Sequence, residues 1–168
     1  MVCKKVEMAF LSDPKGMPER YLSELQETLE SAIPMCAEMG IRVHALGAGA
    51  ITMRAPLDRN RNHQGTAFAG SLNALCTMAG WANVFLLMRS HGQTGDIVIR
   101  RSSIKYLRPV VSQEILACCE QVGDRERDFF LEMLADKGQA KIDVRVEITA
   151  ANETVVAFNG SYVAVARD

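Results

Sequence analysis

The stretch that decides the fold reads Asn60-Arg-Asn-His-Gln-Gly-Thr-Ala-Phe-Ala-Gly-Ser-Leu-Asn-Ala-Leu-Cys-Thr-Met-Ala-Gly-Trp81 and runs on to Met88. Its first part, residues 60–66, is polar and rich in turn-forming residues. No Asp, Glu, Lys or Arg occurs between Arg61 and Arg89. A polar loop that leads into a long uncharged segment predicts a loop followed by a buried helix.

A membrane span is the alternative interpretation, because about 18 mostly apolar residues are enough to make one plausible. Asn73, Thr77 and Asn83 interrupt the apolar run, however, and the segments downstream alternate apolar and polar residues as a soluble sheet does. We therefore expect no membrane span. Small or polar residues recur at steps of three or four, which predicts one helix face that a strand can approach closely; they are Thr66, Gly70, Asn73, Thr77 and Gly80.

Composition points to one globular domain over residues 1–168, with residues 1–17 as a loosely ordered leader. A hydrophobic content of 48% is enough for a substantial core. The 19 basic and 20 acidic residues leave a net charge of -1, so a nucleic-acid partner is not expected. The five cysteines form no C-x-x-C pair, and no apolar segment typical of a secretory signal precedes Asp13. We expect a cytoplasmic protein with reduced thiols.

The order of elements predicts an α+β fold in which an antiparallel sheet curls around one helix. The clearest strand is residues 140–149, where apolar and polar residues alternate strictly. The predicted elements are a helix from Pro18 to Ile33, a hairpin of residues 41–46 and 50–55, the central helix, strands over 96–107 and 114–122, a helix over 125–137, and strands over 140–149 and 154–166.

The motif Asn60-x-Asn62-x-x-Gly65-Thr66-x-Phe68-x-Gly70-Ser71-Leu72, with Ala79-Gly80-Trp81 and this element order, resembles the hot-dog fold. More narrowly, the chain from about Pro18 onward resembles the thioesterase family known from the C-terminal domain of YiiD. The resemblance implies a homodimer or dimer of dimers joined through sheet edges, with interface sites for acyl groups carried on coenzyme A or acyl carrier protein. It implies no separate cofactor, since coenzyme A or phosphopantetheine is part of the substrate. Some members of the family are linked to decarboxylation of malonyl-acyl carrier protein.

The predicted catalytic residues are Asn62, Gly70, Ser71 and Thr77. Backbone N–H groups near Ala69, Gly70 and Ser71 at the start of the central helix can polarise a thioester carbonyl. Asn62 can donate to that carbonyl or hold a water molecule. The alternative is that Asn60 and Asn62 only shape a turn, while Ser71 and Thr66 cap the helix.

The predicted substrate-binding residues surround this loop and add one distant arginine; they are Asn60, His63, Thr66, Phe68, Ala69, Asn73 and Arg101. His63 has the alternative of a solvent-facing loop residue. Arg101 belongs to a basic strand that is either a solvated sheet face or a landing site for a phosphate or an acidic carrier protein. The three histidines lack partners at ligand spacing, so no metal site is expected, and Cys76 is expected to be a core residue rather than a nucleophile.

A missing carboxylate leaves the reaction open. In related hydrolases of the phenylacetic-acid type, a similar motif is followed by a catalytic carboxylate, and the corresponding position here is Thr77. No Asp or Glu occurs from Gln64 to Met88, so hydrolysis would need a carboxylate from elsewhere in the dimer or water positioned by Asn62, Asn73 and Thr77. Decarboxylation of a malonyl thioester needs no such base, and the apolar Phe68 would disfavour the ground-state carboxylate. Thioesterase, malonyl-acyl carrier protein decarboxylase and non-catalytic acyl-thioester binding module all remain hypotheses.

Overall fold

The computed structural model describes residues 19–47 and 50–167. The predicted leader, residues 1–17, lies outside these ranges. The helices are α1 (Glu19–Glu27), α2 (Pro34–Met39), α3 (Leu57–Asn60), α4 (Ala69–Ser90) and α5 (Asp124–Lys137), and a π-helical segment Thr28–Ala32 joins α1 to α2. The strands are β1 (Arg42–Gly47), β2 (Ala50–Pro56), β3 (Gly95–Tyr106), β4 (Glu114–Cys119), β5 (Gln139–Ala150) and β6 (Glu153–Ala166).

The strands form one six-stranded antiparallel sheet in the order β1-β2-β4-β5-β6-β3. On β5 the predicted alternation is confirmed, since Ala140, Ile142, Val144, Val146 and Ile148 are all buried. The helix α4 contacts α1 and the strands β2, β3, β4, β5 and β6. The predicted α+β class, with a sheet around a central helix, is therefore confirmed.

The helix α4 is the core of the molecule. It is 22 residues long and, by length and composition, apolar enough to cross a bilayer, yet most of its apolar window is buried inside the protein. Its buried residues lie on several faces of the helix, as expected for a helix that a sheet and a second helix surround. Burial by the protein thus accounts for its apolar composition.

Close contact between α4 and β6 depends on Gly80. A Cβ atom built on Gly80 would lie 2.5 Å from the Tyr162 hydroxyl oxygen, which is closer than real contacts allow. The predicted face of small residues is confirmed at this position, because a strand side chain occupies the space that Gly80 leaves. The prediction that Thr66 lies on this helix face is wrong, because α4 begins at Ala69 and Thr66 lies in the preceding loop.

The structure differs from the predicted elements mainly in the first third of the described chain, and β4 ends at Cys119 instead of residue 122. The sequence predicts that Pro34 ends or bends the first helix, with a short helical turn continuing to Gly40. Pro34 starts α2, at a position where the missing N–H of proline has no helical partner to lose. The short helix α3 was not predicted. The sequence predicts a tight turn at Asn152 and Glu153; the turn lies one residue earlier, at Ala151 and Asn152, which adopt positive φ angles of 50° and 65°, and Glu153 already begins β6.

The register of the strands separates two faces of the sheet. Tyr162 faces α4, so its register partners Ile99 and Ile142 share that helix-facing side. Successive strand residues point to opposite faces. Ser161 and its register partners, Arg101 and Asp143, therefore share the outer face of the sheet.

Candidate functional site

The loop before α4 is organised by the side chain of Asn62. Its Oδ1 accepts hydrogen bonds from the backbone N–H groups of Gln64 and Thr66, at 2.9 and 3.2 Å. Its Nδ2 donates to Thr66 Oγ1 at 2.9 Å and lies 3.5 Å from the carbonyl oxygen of Ala67. The amide is thus engaged at both ends inside the loop, as the turn-shaping alternative expects. Its catalytic role stays a prediction.

Asn60 anchors the same loop to the interior of the protein. Its side chain is 2% exposed, and its Nδ2 donates to the carbonyl oxygens of Met39 and Pro56, each at 2.8 Å. Its backbone carbonyl accepts from the N–H of Phe68 at 2.7 Å. The structure therefore places the Asn60 side chain in the interior, where it fixes the position of the residue that precedes α4.

The N-terminus of α4 is uncapped. The preceding residue, Phe68, makes no side-chain capping bond. In the described part of the chain, neither the Thr66 nor the Ser71 hydroxyl accepts a hydrogen bond from a backbone N–H of α4, so the capping alternative is not observed. The first backbone N–H of α4 that finds an acceptor is that of Leu72, which donates to the Phe68 carbonyl at 3.0 Å. Among the described residues, the N–H groups of Ala69, Gly70 and Ser71 have no partner. These are the donors that a helix end offers to a ligand.

Two aromatic residues surround this helix end. The ring of Phe68 lies over Gly70, because a Cβ built on Gly70 would lie 2.4 Å from that ring. Phe68 is 54% exposed, so its ring stands at the surface beside the free N–H groups. The hydroxyl of Tyr106, at the end of β3, donates to the carbonyl oxygen of Ala69 at 3.0 Å.

Sequence reasoning missed Tyr106. The only signal in the sequence was its place at the end of the predicted strand 96–107, on the same side as the apolar Ile104 under a period of two. The contact with Ala69 depends on where the end of β3 lies relative to α4, which strand pairing with β6 decides.

Polar side chains continue along the first turns of α4. Ser71, Asn73 and Thr77 are half-buried, and none of their side-chain polar atoms has a hydrogen-bond partner in the described part of the chain. The backbone carbonyl of Thr77 accepts a 2.7 Å hydrogen bond from Tyr162. The three side chains therefore remain available to a water molecule or a substrate.

The helix end carries no acidic group of its own. No Asp or Glu occurs between Asp58 and Asp96. Burial raises the pKa of the Cys76 thiol to about 12, which keeps it protonated at neutral pH and supports its predicted place in the core. Burial, and then the nearby Cys76, raise the pKa of Tyr106. Over residues 19–47 and 50–167 no group of three or more His, Cys, Asp or Glu side chains could hold a metal ion.

Two predicted site residues lie apart from this cluster. His63 is exposed at the tip of the loop. Arg101 lies on the outer face of the sheet, opposite the face that α4 covers. The structure thus brings together Asn62, Thr66, Phe68, Ala69, Gly70 and Ser71, with Asn73 and Thr77 further along α4, and it does not bring Arg101 to them.

Comparison with known proteins gives the same architecture. The model of a family described as "Putative thioesterase (yiiD_Cterm)" matches residues 22–166. A protein of unknown function from Chlorobaculum tepidum TLS superposes with a TM-score of 0.84 at 26% identity, covering 89% of this chain and 97% of that one. A "putative thioesterase" from Shewanella oneidensis superposes with a TM-score of 0.79 at 28% identity, covering 88% of this chain and 99% of that one.

A more distant structure shares the fold alone. It is a mutant of the phenylacetic acid degradation protein PaaI from Thermus thermophilus, with a TM-score of 0.56 and 22% identity over 79% of this chain and 98% of that one.

Proposed function

The chain belongs to the thioesterase family represented by the C-terminal domain of YiiD, whose model spans residues 22–166, and from this membership we propose that it hydrolyses acyl thioesters of coenzyme A or acyl carrier protein. The observation that carries the proposal is the uncapped, solvent-exposed N-terminus of α4. Three neighbouring backbone N–H groups, those of Ala69, Gly70 and Ser71, are free there.

Those N–H groups suit the carbonyl oxygen of a thioester. Attack on a thioester carbon drives negative charge onto that oxygen, and preorganised backbone donors at a helix end stabilise such charge without having to reorient. The absence of a side chain on Gly70 leaves room for the ring of Phe68, which shields one side of the bound carbonyl from water. The acyl group then runs along the exposed apolar surface beside Phe68.

Asn60, Asn62 and Tyr106 position the donors. Asn62 holds the loop in shape and Asn60 fixes the chain just before Phe68. Tyr106 bonds to the carbonyl of Ala69 and so ties the end of β3 to the first turn of α4. The half-buried Ser71, Asn73 and Thr77 provide hydroxyl and amide groups that can hold the attacking water.

The attacking water also needs a base, which we assign to the partner of a homodimer. β3 is an edge strand, most of its 12 residues are exposed, and its outer edge is unpaired within the described chain. Long exposed edge strands invite pairing with another chain. Val98 and Ile99 lie exposed in the first half of β3. A second copy paired along β3 would bring its own side chains towards the N-terminus of α4, where residues 59–95 of this chain supply no carboxylate.

Decarboxylation of a malonyl thioester is the second candidate, and the absence of Asp and Glu between Asp58 and Asp96 favours it. In this reaction the bond between the carboxylate carbon and the α-carbon breaks and carbon dioxide leaves. The electron pair of that bond forms an enolate, whose oxygen the α4 N–H groups would stabilise. Water then protonates the α-carbon to give an acetyl thioester. No base has to remove a proton first.

The test is incubation with acetyl, medium-chain acyl and malonyl thioesters of coenzyme A and of acyl carrier protein, read by product mass. Hydrolysis yields the free thiol and an acid, whereas decarboxylation yields an acetyl thioester and carbon dioxide. Substrates that stay intact while they raise the melting temperature of the protein would replace both reactions with the binding-module hypothesis. If no thioester of the panel is turned over and none raises the melting temperature, the proposal is overturned.

A further inference from the structure

A polar groove of about 670 Å³ crosses the outer face of the sheet, on the side opposite α4. Strands β3, β5 and β6 form its floor, and the chain from Glu120 to Gly123 with the start of α5 forms one wall. Its volume is within the range of about 300–1,000 Å³ that is usual for small-molecule sites. We call it the outer-face groove.

Strand register places two arginines at diagonal corners of the floor. Arg101 on β3 pairs with Ser161 on β6, and Arg145 on β5 pairs with Asn159, two residues earlier on β6. With strands about 4.8 Å apart and about 3.4 Å per residue, the Cα atoms of the arginines are roughly 12 Å apart. Their side chains are long enough to meet over Ser161 and Asn159.

The floor between the arginines is small and polar. Ser161 is 4% exposed and lines the groove at its base. Its hydroxyl bonds to Asp143, which lowers the pKa of that carboxyl, and Lys141 lies 3.4 Å from the same carboxylate. Lys141 therefore already balances the negative charge of Asp143.

Neither guanidinium group has an ion-pair or hydrogen-bond partner among the residues the structure describes, although the charge of Arg101 also acts on Asp143 over a longer distance. Both are exposed. Two uncommitted guanidinium groups on opposite sides of a hydroxyl-lined floor suit an anion with several oxygens, because each guanidinium can present two parallel N–H groups to it. The wall beside Arg145 carries the carboxylates of Glu120, whose backbone N–H donates to the Arg145 carbonyl at 2.9 Å, and of Glu126. Both carboxylates accept hydrogen bonds from hydroxyl or amino groups.

We propose that the outer-face groove binds a small phosphorylated molecule that also carries hydroxyl or amino groups, with its phosphate held between Arg101 and Arg145. The hydroxyl and amino groups of the ligand face Glu120 and Glu126. A simple carboxylate fits less well, since it has too few oxygens to engage both guanidinium groups bidentately. The site lies on the opposite face from the α4 N-terminus, so it stands or falls separately from the thioesterase proposal.

The test is a calorimetric titration of the intact protein with inorganic phosphate, ADP, coenzyme A and acetate. We expect saturable binding of phosphate and ADP, with ADP the tighter, and none of acetate. Arg101→Ala and Arg145→Ala should each weaken ADP binding about tenfold or more, the scale of a lost charge-assisted hydrogen bond. Coenzyme A competing with ADP would identify the substrate nucleotide as the source, and an absence of competition would identify a separate phosphorylated metabolite.

Lys105→Ala is the matched control, because Lys105 lies on the same strand and face as Arg101, one register row beyond the groove. It should leave ADP binding unchanged, and melting curves should show that all three variants fold. Equal loss of binding in Lys105→Ala would reduce the site to general attraction of anions and overturn the proposal. So would a wild-type protein that binds neither phosphate nor ADP, or arginine variants that change the oligomer size, since a second copy would then cover the groove.

Discussion

The hydroxyl of Tyr162 on β6 donates a 2.7 Å hydrogen bond to the backbone carbonyl of Thr77 in the middle of α4. The contact is possible only because Gly80, one turn further along the helix, leaves the ring of Tyr162 its space. Thr77, which is predicted to correspond to the carboxylate position of related hydrolases, is thus held against the sheet through its backbone. This relationship predicts how the two residues respond to substitution.

Gly80→Ala should lower the free energy of unfolding by about 1–3 kcal/mol, because its methyl group would overlap Tyr162 in a fully buried contact. Tyr162→Phe should lower it by about 0.5–1.5 kcal/mol, the usual loss for one hydrogen bond. In the double variant the methyl group gains the space of the missing hydroxyl, so the combined loss should be smaller than the two single losses together. Urea unfolding of the four proteins measures this coupling, and strictly additive losses would contradict the contact.

Ala69→Pro isolates one backbone donor of the proposed site. Proline is tolerated at the first position of a helix, and Phe68 already has the extended backbone, with ψ at 131°, that a residue before proline requires. The helix should therefore form normally while one N–H is lost. Loss of one such donor should lower turnover on the order of a hundredfold or more.

Ala69→Gly is the control for that variant, because it retains the N–H and also lacks a bulky side chain. Initial rates with the best thioester of the panel, together with melting temperatures, compare the two. Equal turnover in the proline and glycine variants would remove the α4 N-terminus from the mechanism.

Asn62→Asp separates the two hypotheses for Asn62. Aspartate keeps the oxygen that accepts from the N–H groups of Gln64 and Thr66, and the Thr66 hydroxyl can turn to donate to it. If Asn62 only organises the loop, this variant should retain most of its stability and turnover. If Asn62 donates directly to the thioester, turnover should fall while the melting temperature is kept.

Asn62→Ala provides the reference for that comparison. It removes every hydrogen bond that the Asn62 side chain makes to the loop and should lower the free energy of unfolding by about 1–3 kcal/mol. Turnover should fall under either hypothesis, so Asn62→Asp, not Asn62→Ala, decides between them. Thermal unfolding and initial rates measured at one temperature well below both melting points give the answer.

The raised pKa of the buried Cys76 thiol predicts that the protein loses stability at high pH. Burial raises the pKa of its thiol from 9.0 to about 12, so the unfolded chain releases this proton more readily than the folded one. The stabilisation is complete below pH 9.0 and is lost as the pH rises towards about 12. Urea unfolding measured between these pH values should show that the free energy of unfolding falls more steeply with pH for the wild type than for Cys76→Ala. Parallel curves would mean that the thiol titrates normally in the folded protein.

Val98→Lys tests the proposed pairing along β3. Val98 is 55% exposed, so a variant with lysine there should fold well but carry a charge in the first half of the open edge strand. The expected result is a monomer by light scattering, with a loss of turnover because each site lacks its partner. Val165→Lys is the matched control, since Val165 is also exposed but lies on β6, one strand inside the sheet. A dimer that survives Val98→Lys would place the interface elsewhere.

Much of the architecture could be predicted from local patterns. The uncharged run after Arg61 required a buried helix, since charges are absent only where no face meets water, and α4 confirms it. The alternation from Ala140 to Ile148 required a strand with one buried face, and β5 confirms that. Periodicity could not reveal α3, which is a single turn of four residues after Pro56 and too short to show a helical pattern.

The sequence by itself determined the strands, the longer helices, the buried central helix and the polar loop before it, because each follows from the pattern of apolar, polar and charged residues within its own segment. Only the tertiary structure decided what those elements place together. Strand register put Tyr162 against Gly80 and Arg101 on the outer face. Long-range contacts brought Tyr106 to Ala69, and the loop turned the Asn62 side chain inward to its own backbone. Such pairings depend on how distant segments meet, which no local period encodes.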